Sequence, residues 1–360
     1  MATFSIGNIA LRGISGCVPA NIEKNVDLDI LSTEEMAKFI DSTGVVERRL
    51  VTGDTITSDL CQAAAEDLLT NLAWDRSEID ILIFVSQTAD YLLPVTSTIL
   101  QDKLKLPKTC VAFDVPLGCS GYTYGISIIS SMMKACGLKK GLLLAGDTGK
   151  FVNKKDKSSY PLFGDGASAT AFEFDEKAGE MHFDLGSDGS GYEAIIVPFG
   201  GTRNIVTTEA LLESEVEPGI TRNSCQLVLD GMDVFSFGIT QAPKTVKNLF
   251  SAFSIDAESV DYFVFHQANR MMNQMIAKKL KLPAEKVPYS LQLFGNTSSA
   301  TIPLTVVSQL KDKLKAGKTN MVFCGFGVGL SWATVYLEID DSVALNLVEY
   351  QDQVVNSELV

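Results

Sequence analysis

Cys119 has the surroundings of a catalytic nucleophile. It lies between a short apolar run, 111–115, and a segment without charged residues, and glycines at positions 118 and 121 flank it. Glycine permits a tight strand-to-helix turn and the close approach of a substrate. A thiol at the start of a helix feels the positive end of the helix dipole, which favours the thiolate. The pattern therefore predicts a sulfur nucleophile, with a cysteine packed in the core as the alternative.

Two further polar residues could act with this sulfur. His266 ends a predicted strand, 261–266, and polar residues at the carboxyl ends of strands line the binding crevices of open α/β sheets. Asn296 precedes a second uncharged segment, 301–310, as Cys119 precedes the first. A hydrogen-bonded strand terminator and a helix N-cap are the alternatives for the histidine and the asparagine. If the fold brings all three to one pocket, they form a catalytic set around the sulfur.

The glycine-rich segment 324–332 is predicted to be a flexible turn whose amides face the same pocket. It is not a dinucleotide-binding fingerprint, because Leu330 interrupts the pattern and no matching helix follows. A backbone N–H near Val328 could act with that of Cys119 as an oxyanion hole. The Gly164-Asp-Gly166 turn is interpreted as structural.

An internal repeat sets the predicted architecture. Three segments of the first half recur in the second half in the same order, at an offset of about 180 residues. A period of this length indicates a duplicated domain and not a solenoid. In this alignment Asn296 matches Cys119 within one residue, and His266 takes the place of Val85. The matching pairs are 77–87 with 258–267, 103–107 with 279–283, and 140–146 with 319–325.

Each half is predicted to alternate strands and helices, which builds an α/β fold with largely parallel sheets. Ser32 to Glu35 form a capping box that opens one helix. The segment 120–135, without charge as far as Met133, and the uncharged segment 301–310 predict two buried central helices between two sheets. A further strand is expected from Phe4 onward. The other strands are predicted at 80–86, 109–115, 141–146, 261–266, 286–291 and 320–325.

The repeat divides the chain into an N-terminal half, 1–178, and a C-terminal half, 179–340. The C-terminal half contains a polar stretch at about 200–226 that has no counterpart in the first half. We interpret this stretch as an insertion loop. The tail, 341–360, has no clear structural signal.

Composition and charge exclude several classes of function. The 360 residues are 46% hydrophobic and carry a formal net charge of −14, which disfavours nucleic-acid binding. Seven cysteines without metal-type spacing predict neither a disulfide framework nor a metal site. No secretory signal or membrane-length apolar run is found, so a cytoplasmic protein is expected. One local basic cluster, Arg270, Lys278, Lys279 and Lys281, is either a docking site for an acidic partner or a solvated helix face.

Together these motifs resemble the β-ketoacyl-acyl-carrier-protein synthase III family of the thiolase-like condensing enzymes. The resemblance runs from about residue 3 to residue 339. It rests on the segments 114–121, 164–167, 266–269, 295–298 and 326–332. It implies a five-layered αβαβα fold made of two duplicated halves.

The resemblance also implies roles for single residues and partners. Cys119, His266 and Asn296 would be catalytic, in a homodimer that uses an acyl carrier protein. Leu93 would reach into the acyl pocket of the partner subunit. Gly231, Phe326 and Gly327 would line the substrate pocket, and the basic cluster would bind the carrier protein. The cysteine would take an acyl group from a thioester and pass it to a decarboxylating malonyl thioester, without metal or redox cofactor.

Three positions depart from the family pattern. Typical members hold the adenine of coenzyme A between a tryptophan and an arginine, where this chain has Lys38 and Lys157. A further arginine position corresponds to Ser42. Lysine lacks the flat stacking surface of either residue. We therefore expect an acyl carrier protein or another donor, in preference to coenzyme A, to deliver the acyl group.

Four other functions fit parts of the sequence. A thiolase would carry a histidine at position 296 and a different motif after position 266. A plant-type polyketide synthase shares the Cys/His/Asn set but differs after His266. An acyltransferase that passes the Cys119 acyl group to oxygen or nitrogen stays open. A non-catalytic dimer partner is disfavoured, because all three catalytic residues are present.

Overall fold

The computed structural model of the chain describes residues 2–314 and 317–351. Two mixed β-sheets dominate it, and helices lie between and outside them. The strands are β1 (Ala2–Ile6), β2 (Ile9–Pro19), β3 (Ile22–Lys24), β4 (Glu47–Arg49), β5 (Ile81–Val85), β6 (Val111–Val115), β7 (Lys140–Asp147), β8 (Gly166–Phe174), β9 (Met181–Ser187), β10 (Ile195–Ile196), β11 (Ser214–Glu217), β12 (Ile220–Arg222), β13 (Val228–Leu229), β14 (Tyr262–Phe265), β15 (Thr319–Gly327), β16 (Ser331–Ile339) and β17 (Ala344–Tyr350). The helices are α1 (Thr33–Thr43), α2 (Thr57–Asn71), α3 (Thr96–Lys103), α4 (Gly121–Cys136), α5 (Gly231–Phe253), α6 (Arg270–Leu280), α7 (Leu291–Phe294) and α8 (Thr301–Gln309).

The two large sheets correspond to the two halves of the repeat. The N sheet has the strand order β17-β2-β8-β7-β5-β6, and the C sheet has the order β1-β9-β16-β15-β14. Strands β5, β6 and β7 run parallel in the N sheet, as do β14 and β15 in the C sheet. The two ends of the chain cross over, since β1 joins the C sheet and β17 pairs with β2 in the N sheet.

The apolar faces of the helices determine an arrangement in five layers. Helices α4 and α8 lie between the sheets, and their side chains form one core cluster with residues of both sheets. Helices α2 and α3 cover the outer face of the N sheet. Helices α5 and α6 cover the outer face of the C sheet. The order is therefore αβαβα, because a helix without a polar face must be buried on both sides.

Most predicted elements are present within two residues of their expected positions. The capping box at Ser32 is formed, with both of its reciprocal hydrogen bonds. The uncharged segments are α4 and α8. The first predicted strand is divided into β1 and β2, because Asn8 between them adopts a positive φ of 67°.

Three expectations are wrong, and the insertion loop contains an unexpected hairpin, β11–β12. No strand forms at 286–291, where Pro288 offers no backbone N–H to a sheet. Residues 344–350 of the expected tail form β17, while 352–360 lie outside the described residues. The glycine-rich turn is shorter than expected, because 324–327 extend β15.

Among the described residues, no helix has the length and apolarity needed to cross a bilayer.

Candidate active site

Cys119 lies in the tight connection between β6 and α4. The N–H of Gly121 donates to the carbonyl of Gly118 at 2.7 Å, which closes the turn around the cysteine. Gly327 of β15 packs directly on this residue. A Cβ built on Gly327 would lie 2.6 Å from Cβ of Cys119, and its φ of +156° also disfavours a side chain. The end of β15 can therefore approach the sulfur only because it carries glycine.

Burial controls the charge state of this thiol. It raises the pKa of Cys119 to about 11, and the negative charge of Asp147 acts in the same direction. Hydrogen bonds from the Val328 backbone and the Ser298 side chain lower this pKa by less. The sequence predicted a thiolate favoured by the helix dipole. Burial therefore opposes the thiolate that the helix dipole was expected to favour.

His266 follows β14 and is buried. Its backbone N–H donates to the carbonyl of Cys324 at 2.8 Å, which extends the pairing of β14 with β15. Burial lowers the pKa of the ring to about 3, so the imidazole is neutral at physiological pH. The ring meets the edge of Phe326, with centroids 5.7 Å apart. A neutral imidazole can donate a hydrogen bond from one ring nitrogen and accept a proton at the other.

One hydroxyl can support either tautomer of this imidazole. Oγ1 of Thr301 lies 2.8 Å from Nδ1 of His266 and 2.9 Å from the carbonyl oxygen of Ser298. When the hydroxyl hydrogen points to Ser298, Nδ1 can donate to Oγ1. When it points to Nδ1, the other ring nitrogen carries the proton. Rotation of the Thr301 hydroxyl therefore determines which of the two nitrogens of the His266 ring carries the proton.

Asn296 is held through its amide oxygen, and among the described residues its amide nitrogen donates to no acceptor. Its Oδ1 accepts from the N–H of Ser298 at 2.9 Å. Its backbone bonds Leu162 and Gly164 of the opposite half, at 2.9 Å and 3.1 Å. Because the oxygen is already occupied, Nδ2 is the atom available to a substrate carbonyl.

Ser298 connects all three side chains, although the sequence analysis assigned it no role. Its N–H holds Asn296, its hydroxyl bonds the sulfur of Cys119, and its backbone bonds the ring of His266. It makes these contacts from a left-handed conformation, with a φ of 51°. The Asn-Thr-Ser sequence was open to interpretation as a helix N-cap. No periodic signal in the sequence distinguishes a helix cap from a residue that connects the three side chains.

Asp147 joins the halves of the molecule behind the site, and it too was missed. Its Oδ2 accepts from the N–H and hydroxyl of Ser299, at 3.1 Å and 2.7 Å. Its Oδ1 accepts from the hydroxyl of Ser86 and the N–H of Gln87, at 3.1 Å and 2.7 Å. Burial raises the pKa of this carboxyl despite these four donors. The bonds fix the ends of β5 and β7 to the start of α8.

The three predicted catalytic residues line one cavity of about 130 Å³. Predicted pocket residues Gly231, Phe326, Gly327 and Val328 line it too. Leu93 does not line this cavity in the single chain, where it is 85% exposed. The remaining lining residues are Gln87, Leu162, Phe163, Ile195, Leu227, Leu229, Val234, Ala268, Asn269, Met272 and Ser298.

The basic cluster is divided between the two ends of α6. Arg270 begins the helix, between the cavity residues Asn269 and Met272. The exposed lysines 278, 279 and 281 lie at its other end, about 12 to 17 Å away along the helix axis. Nζ of Lys279 donates to the carbonyl of Ile239 on α5, at 2.9 Å.

The hairpin β11–β12 packs on the segment that contains Lys157. The N–H of Lys157 donates to the carbonyl of Gly219 in the hairpin turn, at 3.2 Å. Its side chain lies against the same glycine, with Cδ 2.7 Å from a Cβ built there. Lys38 instead pairs with Glu34 on the exposed face of α1, and the Ser42 hydroxyl donates to the carbonyl of Phe39. Hydrogen bonds from Ser32 lower the pKa of the Glu35 carboxyl, and Lys157 and Lys38 both lie close enough to act in the same direction.

Known proteins similar to this chain agree on one family. The sequence model described as 3-oxoacyl-[acyl-carrier-protein (ACP)] synthase III matches residues 113–189, and its C-terminal counterpart matches residues 251–339. A putative 3-oxoacyl-[acyl-carrier-protein] synthase 3 of Campylobacter jejuni is 33% identical over 340 residues, which are 93% of each chain. A β-ketoacyl-[acyl-carrier-protein] synthase III of Clostridium tetani is 33% identical over 84% of this chain and 92% of its own length.

A solved structure extends the likeness to the whole fold. The crystal structure of a 3-oxoacyl-(acyl-carrier protein) synthase from Burkholderia xenovorans LB400 superposes with a TM-score of 0.90 and 36% identity. The match covers 97% of this chain and 99% of that one. The five layers of this molecule are thus the thiolase-like arrangement, and the chain belongs to the 3-oxoacyl-[acyl-carrier-protein] synthase III family.

Proposed function

We propose that this chain joins an acyl group to a malonyl thioester in a decarboxylating Claisen condensation. The observation that carries the proposal is the single cavity that holds Cys119, His266 and Asn296. A sulfur nucleophile, a neutral imidazole and a free amide N–H meet there. The product is a β-ketoacyl thioester for fatty acid or related biosynthesis.

In the first half-reaction the sulfur of Cys119 attacks the carbonyl of an acyl thioester. The thiol is protonated at rest, so His266 accepts its proton as the C–S bond forms. The N–H groups of Val328 and Cys119 are placed to stabilise the tetrahedral oxyanion. Collapse breaks the bond to the carrier sulfur, which takes up the proton and leaves as a thiol. His266 is neutral again, and the acyl group stays on Cys119.

In the second half-reaction a malonyl thioester occupies the same cavity. Nδ2 of Asn296 and the ring N–H of His266 donate to its thioester carbonyl, with the Thr301 hydroxyl turned toward Nδ1. Loss of CO₂ leaves an enolate that these bonds stabilise. Its carbon attacks the acyl carbonyl and expels the sulfur of Cys119. The thiolate takes up one proton and returns to its resting form.

The structure favours a carrier protein over coenzyme A as the acyl donor. Stacking an adenine needs a flat aromatic or guanidinium surface, which Lys38 and Lys157 lack. Lys157 is occupied by the turn of the hairpin. The hairpin strands also present exposed Glu215 and Glu217, whose charge repels the phosphates of a nucleotide.

The carrier protein would dock along α6. Arg270 lies beside the cavity, and the lysines at 278, 279 and 281 extend the positive charge along the helix. Met271 and Met275 are exposed on the same helix and add apolar contacts. Reversing the charge of the lysines should raise KM for an acyl carrier substrate several-fold and leave kcat unchanged.

A homodimer would complete the site. Strand β6 is an edge of the N sheet, and an edge strand presents unpaired backbone groups to a second chain. The neighbouring loop exposes Tyr91, Leu92 and Leu93, with Leu92 90% exposed. Pairing two β6 strands would cover this loop and carry Leu93 toward the other cavity. Light scattering of a Leu93→Asp variant tests this, since a charge in the interface should favour the monomer. The cytoplasmic location stays a prediction.

Intact-mass spectrometry with paired donors tests the proposed function. Acetyl-CoA and an acetylated acyl carrier protein are compared, each with and without malonyl-acyl carrier protein. We expect an acyl adduct on Cys119, formed faster from the carrier protein, and a β-ketoacyl product only when malonyl is present. An adduct that never yields this product but acylates an added alcohol or amine would favour simple acyl transfer. The absence of any adduct would reject both functions.

A further inference from the structure

Gln87 occupies a fixed position at the carboxyl end of β5. Its N–H donates to the buried Oδ1 of Asp147 at 2.7 Å. That carboxylate is itself tied to Ser299 of the opposite half. The backbone of Gln87 is therefore held by the same network that positions the start of α8.

The side chain of Gln87 lies beside the nucleophile. Its carboxamide packs against Gly118, the residue before Cys119. A Cβ built on Gly118 would lie 2.1 Å from Oε1 of Gln87 and 3.0 Å from Cγ1 of Val328. The amide and the Val328 side chain thus both lie against the turn that holds the sulfur. Gln87 lines the same cavity.

Gln87 is exposed in the single chain, so water can reach its carboxamide until an acyl group covers it. This carboxamide makes no hydrogen bond within the part of the chain that the structure describes, residues 2–314 and 317–351. The walls around it are mostly apolar, including Leu162, Phe163, Ile195 and Leu229. A purely alkyl acyl group on Cys119 would cover the amide without giving it a partner. Covering an unpaired polar group is costly, and sites with such groups discriminate strongly against ligands that cannot bond them.

We propose that Gln87 is a specificity-determining residue that selects an acyl group with a hydroxyl or oxo oxygen close to the thioester carbonyl. The amide offers both an N–H donor and a carbonyl acceptor, so it can bond a hydroxyl in either direction and an oxo group through its N–H. The inference rests on the proposed function, because it concerns the acyl group that Cys119 carries.

The test measures the rate of Cys119 acylation by intact mass with three loaded carrier proteins. They carry butyryl, 3-hydroxybutyryl and acetoacetyl groups, which have the same chain length and differ only at C3. We expect the unmodified protein to accept at least one oxygenated group about ten-fold or more faster than butyryl. Gln87→Met keeps the length of the side chain without the amide, and should remove this preference. Gln292→Met is the matched control, because Gln292 lies on α7 outside the cavity lining.

Several outcomes would overturn the inference. Equal or faster acylation by butyryl in the unmodified protein is one, and a preference that survives Gln87→Met is another. A loss of dimer in Gln87→Met with unchanged preference would assign the amide to the subunit interface. In all three outcomes Cys119 still carries an adduct, so the proposed function is not contradicted. The absence of any adduct with every donor would reject both the inference and the proposed function.

Discussion

The starts of α4 and α8 occupy equivalent places in the two halves, yet the chain builds them differently. In the N-terminal half, β6 leads through one closed turn to Cys119 and directly into α4. In the C-terminal half no strand precedes the helix, and the short α7 stands in its place. Gly295 and Ser298 then take positive φ angles of 64° and 51° before α8 begins.

This difference fits the roles proposed for the two halves. In that proposal the N-terminal half presents one sulfur atom, which a tight turn is enough to aim. The C-terminal half orients hydrogen-bonding groups in fixed directions, and Asn296 and His266 both contact Ser298. The irregular backbone there supplies an N–H, a carbonyl and a hydroxyl from a single residue. Duplicated elements can thus diverge into a nucleophile and a scaffold for donors.

The largest effect should come from the nucleophile itself. Cys119→Ala removes the only atom that can carry the acyl group in this scheme, so condensation should fall by about 10⁴-fold or more. The acyl adduct should disappear from the mass spectrum. Cys136→Ala is the control, since Cys136 is exposed at the far end of the same helix. Substantial turnover by the Cys119 variant would show that sulfur is not the attacking atom.

The C-terminal half should affect decarboxylation far more than loading. His266→Ala should still acquire an acyl group on Cys119, although more slowly because the thiol loses its proton acceptor. It should lose decarboxylation of malonyl-acyl carrier protein by about 10³-fold, because the enolate loses a hydrogen-bond donor. Release of labelled CO₂ measures this. His182→Ala is matched in residue type, and His182 lies on β9 stacked against Phe253, outside the cavity lining. Normal CO₂ release by the His266 variant would contradict the division of labour between the halves.

The pH dependence sharpens the same comparison. Below a thiol pKa of about 11, the thiolate fraction rises ten-fold per pH unit, so it increases with rising pH. Alkylation of Cys119 by iodoacetamide should therefore accelerate about 100-fold from pH 7 to pH 9. The His266 ring, with a pKa of about 3, stays neutral over this range and should add no inflection. A plateau above pH 7 would mean that the helix dipole outweighs burial. The rate for the Cys119→Ala protein corrects for the other cysteines.

The sequence predicted the architecture and the three side chains for physical reasons. Helices with almost no charge, such as 120–135, have no stable place except between layers, and short apolar runs bounded by turns are typical of buried strands. Cys119 stood out because glycines flank it between a strand and such a helix, and His266 because a polar side chain ends a strand. The strand at 286–291 failed because one proline removes a backbone donor that an apolar pattern does not register.

Other features of the site depend on long-range contacts that no local pattern encodes. The surroundings of Cys119 include Gly327 of β15, some 200 residues away along the chain. In the sequence Asp147 is only a residue at the end of a strand, and its hydrogen bond with Ser299 is seen only in the folded chain. The strand β17 is recognised only when β2 offers it an edge.

The smallest effect, and the finest test of the scaffold, is expected at Ser298. Ser298→Gly removes the hydroxyl that bonds the sulfur but keeps the N–H for Asn296, and glycine tolerates the φ of 51°. Losing that hydrogen bond raises the thiol pKa further, so acylation at pH 7 should slow by about ten-fold.

Decarboxylation of malonyl-acyl carrier protein should hardly change in the same variant, because the backbone contacts persist. Ser299→Ala is the neighbouring control. It removes a bond to the buried Asp147 and should lower the free energy of unfolding by about 1–3 kcal/mol. If Ser298→Gly slowed both half-reactions equally, the hydroxyl would affect His266 and Asn296 as well as Cys119. The proposed separation between the nucleophile and the hydrogen-bond donors would then be wrong.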